Sequence, residues 1–163
     1  MRVVGIDPGA SGALALWRPD GLVAAIDMPV LMLRRGKSDK AEVDAAGIID
    51  VLAEWRPTHV VIEQVGGIPG QSAPAAFNFG RAAGAVEYIA RALRYPVAMV
   101  PPATWKKALR VNGGKDGSRA AAVNLWPQHR ALFARVKDDG RAEAALIAYW
   151  FGREAAARSN VLD

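Results

Sequence analysis

The chain has 163 residues, 52% of them hydrophobic, which is typical of one globular domain over residues 1–163 with a substantial core. It has no cysteine and only two histidines, which excludes disulfides, thiolate metal sites and a histidine-based zinc cluster. A formal net charge of +5 and a pI near 9.9 indicate a basic surface, which suits a polyanionic partner.

No apolar run is long enough to span a bilayer, so we expect no membrane association. The first residues lead directly into an apolar strand and lack the basic, apolar and small-residue pattern of a secretory signal. These features, with the absence of cysteine, predict a cytoplasmic protein.

The first quarter of the chain predicts an antiparallel meander. Residues 2–7 form an apolar strand that ends in a Pro-Gly turn, and residues 12–18 and 22–28 form two more strands joined at Pro19-Asp20-Gly21. Residues 29–40 are polar and basic without a clear period, which predicts a loop.

The remainder alternates helices with short strands. Helical spacing, caps and stops predict helices over residues 41–55, 75–94, 103–109, 118–125 (with Ser118 as the cap) and 139–157. Apolar runs predict strands at 58–63 and 96–100, and glycine-rich stretches predict loops at 64–74 and 111–117. This order predicts an α/β fold in which a mixed five-stranded sheet, a three-strand meander plus two parallel strands, carries helices on both faces.

Two acidic residues end apolar strands. Asp7 closes the first strand and Glu63 closes the strand at 58–63. The right-handed crossover rule places these strands side by side and parallel, so both carboxylates emerge at the same edge of the sheet, where open α/β sheets bind ligands.

Two further acids begin the last helix. Asp139 and Glu143 are four residues apart, which places them on one helix face, while Asp138 is either an alternative to Asp139 or the helix cap. Buried carboxylates are costly unless paired or bound to a metal, and a cluster of oxygen ligands suits Mg²⁺ or Mn²⁺. Two such ions held together are a device for phosphodiester cleavage. Each acid also has an ordinary explanation, as a turn residue, a strand-end acid or part of a solvated helix face.

The ordered set of motifs resembles the RNase H-like nuclease superfamily and, within it, the RuvC-type Holliday junction resolvases of phages and prophages. The motifs are Gly5-Ile6-Asp7-Pro8-Gly9 with Gly12, Ile62-Glu63-Gln64-Val65, Phe77-x-Phe79-Gly80-Arg81 with Gly84, Pro101-Pro102-x-x-Trp105-Lys106-Lys107, and Lys137-Asp138-Asp139-Gly140-Arg141-Ala142-Glu143-Ala144. The resemblance extends over residues 2–150.

The resemblance implies a crossover junction endodeoxyribonuclease encoded by a bacterium or phage. Asp7, Glu63 and Glu143 match three catalytic metal ligands, and the fourth is Asp139 or Asp138. Two Mg²⁺ ions, replaceable by Mn²⁺, would serve each active site, branched DNA would be the substrate, and cleavage would leave 5′-phosphate and 3′-hydroxyl ends. A homodimer is implied because a four-way junction is cut on two symmetry-related strands.

Five cations are candidates for contacts with DNA. Lys106, Lys107 and Lys115 lie in a basic stretch rich in glycine, and Arg81 and Arg141 lie near helices that carry the motifs. A solvated surface position is the alternative for each of them.

The predicted helix over residues 75–94 offers an apolar face for dimerisation, formed by Phe77, Gly80, Gly84 and Tyr88. Packing of this face on its own sheet is the alternative, and for Phe77 alone helix packing is the interpretation that we favour. Many RuvC-type proteins place a wedging aromatic soon after Glu-Gln-Val, whereas this chain has Gly66-Gly67-Ile68 there. Ile68 or Phe77 would then be the wedge.

Three rival functions remain at this stage. The turn after Asp7 is similar to the phosphate-binding turn of the sugar kinase, actin and Hsp70 fold, which needs two such domains. A nuclease of the same fold without junction specificity, and a non-catalytic nucleic-acid-binding module, are the others.

Overall fold

A computed structural model describes residues 1–36, 38–67 and 70–159. The strands are β1 (Val3–Asp7), β2 (Ala13–Arg18), β3 (Gly21–Asp27), β4 (Val30–Arg35), β5 (Ser38–Val43), β6 (His59–Glu63) and β7 (Val97–Val100). The helices are α1 (Ala45–Trp55), α2 (Ala73–Ala92), α3 (Pro102–Ala108), α4 (Gly114–Leu125) and α5 (Asp139–Ser159). Two 3₁₀ turns, Pro127–Phe133 and Val136–Asp138, connect α4 to α5.

The central sheet has the strand order β3-β2-β1-β6-β7. Its first three strands are antiparallel, and β6 is parallel to both β1 and β7, which confirms the predicted mixed α/β sheet. Ile6 pairs with Ile62, so the next residue of each strand, Asp7 and Glu63, lies at the same carboxyl edge.

Helices cover both faces of this sheet, as the sequence predicted. On one face α1 and α2 bury Ile48, Leu52 and Val86 against the side chains of β1 and β2. On the other face α4 and α5 form a second apolar cluster, which includes the fully buried Leu146 and Ile147.

Gly5 explains how closely α5 approaches the sheet. A Cβ atom at this position would lie 2.1 Å from the carbonyl oxygen of Ala144 and 2.7 Å from the amide nitrogen of Ala148. The backbone of α5 therefore rests directly on β1, which is possible only because Gly5 has no side chain.

The loop predicted over residues 29–40 is wrong, because β4 and β5 form an antiparallel ribbon separate from the main sheet. Their register runs from Val30 opposite Val43 to Arg35 opposite Ser38. The ribbon has no alternation of buried and exposed positions, since every residue of β4 is exposed. The sequence of an exposed ribbon therefore lacks the alternation of apolar and polar residues by which a half-buried strand is recognised.

Two helix starts also differ from the prediction. α1 begins at Ala45 because the side chain of Asp44 caps it, accepting from the amide of Ala46 at 3.0 Å. α4 begins at Gly114, after Gly113 in the left-handed region at φ 85°. Ser118 is therefore in the second turn of α4 rather than at its cap, and the prediction of a Ser118 cap is wrong. Among the described residues, no helix is long and apolar enough to cross a membrane.

Candidate active site

Three of the predicted acids converge. Asp7 at the end of β1, Glu63 at the end of β6 and Glu143 in the second turn of α5 each place one carboxylate oxygen within 4.8 Å of the others. The parallel pairing of β1 and β6 positions the first two, and the seating of α5 on Gly5 positions the third.

Gly140 brings the first turn of α5 against the same site. A Cβ atom there would lie 3.0 Å from Oδ2 of Asp7 and 3.3 Å from the backbone of Gly12. Any side chain at residue 140 would thus press on the Asp7 carboxylate, so glycine at this position keeps the site open.

The three carboxylates repel one another in a poorly solvated place. Burial raises the pKa of Asp7 well above its usual value, and the charges of Glu143, Glu63 and Asp139 raise it further. Burial also raises the pKa of Glu63, against the hydrogen bond from Trp105 that lowers it. Such a cluster holds excess negative charge, and a bound divalent cation would relieve it.

Trp105 and Ser118 support two of these acids, a role that was not identified from the sequence. The indole Nε1 of the fully buried Trp105 donates to Oε1 of Glu63 at 3.0 Å. The hydroxyl of the fully buried Ser118 donates to Oε1 of Glu143 at 2.9 Å. A polar atom on a buried side chain needs a hydrogen-bond partner. Because Trp105 lies in an apolar stretch, its indole nitrogen could have been expected to donate to a buried acceptor.

The two acids at the start of α5 are in different environments. Oδ2 of Asp139 lies 2.6 Å from Nζ of Lys115, and its charge contributes to the raised pKa of Asp7. Asp138 is fully buried and accepts from the backbone amide of Arg135 at 2.8 Å and from its guanidinium at 2.7 Å. These hydrogen bonds lower the pKa of Asp138 and give its carboxylate a capping role in the 3₁₀ turn.

Two of the five predicted cations contact the acidic site. Nζ of Lys106 lies 2.8 Å from Oε1 of Glu143, and Lys115, whose side chain is 79% exposed, pairs with Asp139. Lys107 is exposed on α3, one residue beyond Lys106.

The two predicted arginines make intramolecular ion pairs. Nε of Arg141 lies 2.6 Å from Oδ1 of Asp27, joining the start of α5 to the end of β3, and only 19% of its side chain is exposed. Nη2 of Arg81 lies 3.2 Å from Oε2 of Glu42, joining α2 to β5. An arginine already paired in this way has fewer donors left for a phosphate, so their DNA contacts stay predictions.

The favoured interpretation of Phe77, packing within its helix environment, is wrong. Its side chain is 66% exposed and that of Tyr88 is 69% exposed, both on α2. Cβ atoms at Gly80 and Gly84 would meet nothing within 4 Å, so this face of the helix is open. The other wedge candidate, Ile68, lies outside the described residues.

Comparison with known proteins agrees with this geometry, although no protein-family model matches the chain. The chain is 33% identical over 85 residues to the chloroplastic Holliday junction resolvase MOC1 of Chlamydomonas reinhardtii, a match that covers 51% of this chain and 10% of that protein. The chain therefore spans about a tenth of the length of the curated relative that it matches.

Two solved structures share the fold over nearly the whole chain. Thermus thermophilus RuvC, in complex with a Holliday junction substrate, matches with a TM-score of 0.59 and 22% identity over 94% of this chain and 96% of that chain. The yeast mitochondrial Holliday junction resolvase Ydc2 matches with a TM-score of 0.60 and 17% identity over 98% and 80%. The fold is therefore that of the RuvC-like resolvases, as the motifs predicted. The curated relative is a chloroplast protein, so a bacterial or phage origin stays a prediction.

Proposed function

We propose that this protein is a metal-dependent endonuclease that cleaves four-way and related branched DNA junctions. The observation that carries the proposal is the convergence of Asp7, Glu63 and Glu143 at one edge of a RuvC-like sheet. The names of the similar proteins, all of them Holliday junction resolvases or RuvC itself, support the choice of substrate.

The ligands would be Asp7, Glu63 and Glu143, with Asp139 as the fourth. The donor set fits Mg²⁺, with Mn²⁺ as a substitute, because all its atoms are carboxylate oxygens and their mutual repulsion calls for a cation. Asp139 completes the set in preference to Asp138 because its carboxylate pairs with the exposed Lys115, whereas Arg135 occupies the buried carboxylate of Asp138.

A pair of bound ions would supply an activated water and would neutralise charge on the phosphate and the leaving oxygen. The protein's own groups fix the ligands: the indole of Trp105 orients Glu63, while Lys106 and Ser118 both donate to Oε1 of Glu143. Lys115 is exposed enough to turn from Asp139 toward a phosphate once a cation takes over the carboxylate.

A homodimer follows from the symmetry of the proposed substrate. Two cuts on strands related by a two-fold axis need two sites related in the same way. The exposed Phe77 and Tyr88, with open glycines between them, make α2 our choice for the interface. Light scattering should give about twice the chain mass of 17.3 kDa. Tyr88→Glu should give a monomer, while Val23→Glu on β3 should not.

The deciding experiment compares a four-way junction with a linear duplex of the same sequence in the presence of Mg²⁺. We expect cleavage of the junction alone, abolished by Asp7→Asn with binding preserved, because that change removes a ligand and a negative charge near phosphates. Asp20→Asn, in the exposed β2–β3 turn at the opposite edge of the sheet, is the matched control.

Equal cleavage of both substrates would leave a nuclease without junction specificity. Binding without cleavage at any Mg²⁺ concentration would leave a non-catalytic binding module, and hydrolysis of ATP would point to a nucleotide-hydrolysing function.

A further inference from the structure

The β4–β5 ribbon has no part in the site described above. It forms its own two-stranded sheet, and every residue of β4 is exposed. A lone ribbon of two strands gains little stability from its own pairing, so it needs contacts with the rest of the domain to stay folded. The anchor is at its base, where Glu42 accepts from both Arg35 and Arg81 and the amide of Asp44 donates to the carbonyl of Pro29.

The ribbon begins at the same edge of the sheet as the acidic site. Asp27 at the end of β3 pairs with Ala13, which pairs with Asp7. Three residues after Asp27 the ribbon starts. A cavity of about 980 Å³ lies between the ribbon and α2 and reaches the turn at Gly9, so the described part of the chain leaves much of the inner side of the ribbon uncovered.

The distal half of the ribbon is cationic. Residues 34–40 contain four cations and one acid, Asp39, whose Oδ1 lies 3.4 Å from Nη1 of Arg34 in an exposed pair, so an excess of positive charge remains. Register places Arg34 opposite Asp39 and Lys40 opposite Leu33, so Arg34 and Lys40 lie on opposite faces of the ribbon. Exposed basic side chains on both faces suit a nucleic-acid groove, which has a phosphate backbone on each wall.

We propose that the β4–β5 ribbon is a DNA-binding arm that enters a groove of one duplex arm of the branched substrate, with Arg34 and Lys40 contacting phosphates on either wall. This inference rests on the proposed function and adds a second contact region to it. The major groove of B-DNA admits a two-stranded ribbon, and phosphate contacts from basic side chains fix the register of a protein on its duplex.

Duplex DNA is favoured over a second copy of the chain because of charge. The excess positive charge lies at the distal half of the ribbon, away from the Glu42–Arg81 pair at its base. A symmetric contact between two such ribbons would bring like charges together, whereas a polyanion is attracted to each ribbon.

The salt dependence of junction binding tests whether the β4–β5 ribbon contacts phosphates. In an Asp7→Asn background with Mg²⁺, the logarithm of the association constant for a four-way junction is measured against the logarithm of salt concentration. Each phosphate contact contributes about 0.9 to the slope, so Arg34→Gln with Lys40→Gln should reduce its magnitude by about 1.8 and weaken binding up to roughly 60-fold at about 0.1 M salt.

The matched control removes the same charge elsewhere. Arg153 and Arg158 are exposed near the end of α5, at the edge opposite the acidic site. Changing both to Gln should leave the slope nearly unchanged. Should the double variant of the ribbon fail to fold, Lys40→Gln alone should reduce the slope by about 0.9.

A ribbon variant with the same slope as its control would overturn the arm and leave the nuclease proposal intact. An unchanged slope with an altered ratio of monomer to dimer would also overturn it, in favour of a contact between copies. Absence of DNA binding by the protein with an unaltered ribbon would overturn both proposals.

Discussion

Gly5→Ala tests whether the seating of α5 on β1 sets the geometry of the acidic site. The new methyl group would meet the carbonyl oxygen of Ala144 at 2.1 Å, whereas ordinary contact begins at 3.4 Å, so α5 must recede by about 1.3 Å. Since Glu143 precedes Ala144 directly, its carboxylate moves with the helix while Asp7 and Glu63 stay on their strands.

The expected loss follows from that displacement. A misplacement of about 1 Å costs on the order of 100-fold in rate, and overpacking a core costs about 1–3 kcal/mol. For a domain of this size that free energy corresponds to a Tm lower by roughly 2–12 °C. Junction binding should change little, because the cations of the surface are untouched.

The assay is cleavage of an end-labelled four-way junction under single-turnover conditions, at a temperature where circular dichroism shows the variant folded. Gly66→Ala is the control, because a Cβ atom at Gly66 meets nothing within 4 Å. A Gly5→Ala protein with the cleavage rate and Tm of the wild type would refute the argument that this contact positions Glu143.

Three further predictions concern the acids and their partners. Trp105→Phe removes the donor to Glu63 and should raise the Mg²⁺ concentration for half-maximal cleavage by about 10–100-fold, measured by metal titration. The raised folded-state pKa of Asp7 implies that this group contributes stability to the metal-free protein that is fully present below the pKa of an unfolded aspartate and is lost as pH rises through the folded value. Melting in EDTA across acidic to neutral pH should therefore show a falling Tm that Asp7→Asn largely removes; a parallel pair of curves would contradict this. Asp138→Ala should cost about 0.5–2 kcal/mol of stability through its lost cap, whereas Asp139→Ala should abolish cleavage with little change in Tm; the reverse pattern would exchange the two roles.

The sheet and three acids of the site could be predicted because their signals are local or follow from topology. Asp7 and Glu63 each end an apolar strand, and the right-handed crossover rule places the carboxyl ends of these two strands side by side. Glu143 follows from its position on the last helix, within an apolar segment where an acid is costly.

The supporting contacts could not be predicted because their partners are remote in sequence. Trp105 is 42 residues from Glu63, and Ser118 is 25 residues from Glu143. Neither the composition nor the spacing of residues indicates that Trp105 contacts Glu63 or that Ser118 contacts Glu143. These contacts arise only when α3 and α4 pack beside α5. The choice between Asp138 and Asp139 likewise depends on where a 3₁₀ turn gives way to α5, a matter of one residue.

The contact of α5 with Gly5 has a consequence for the order in which the parts of the active site fold. It joins the first strand to the last described helix, so it closes a loop of nearly the whole chain, and contacts at such separation form late and slowly. During synthesis, Asp7 and Glu63 emerge well before Glu143 does. The group of three carboxylates therefore exists only after α5 has docked, and a nascent chain that does not yet extend through α5 cannot assemble it.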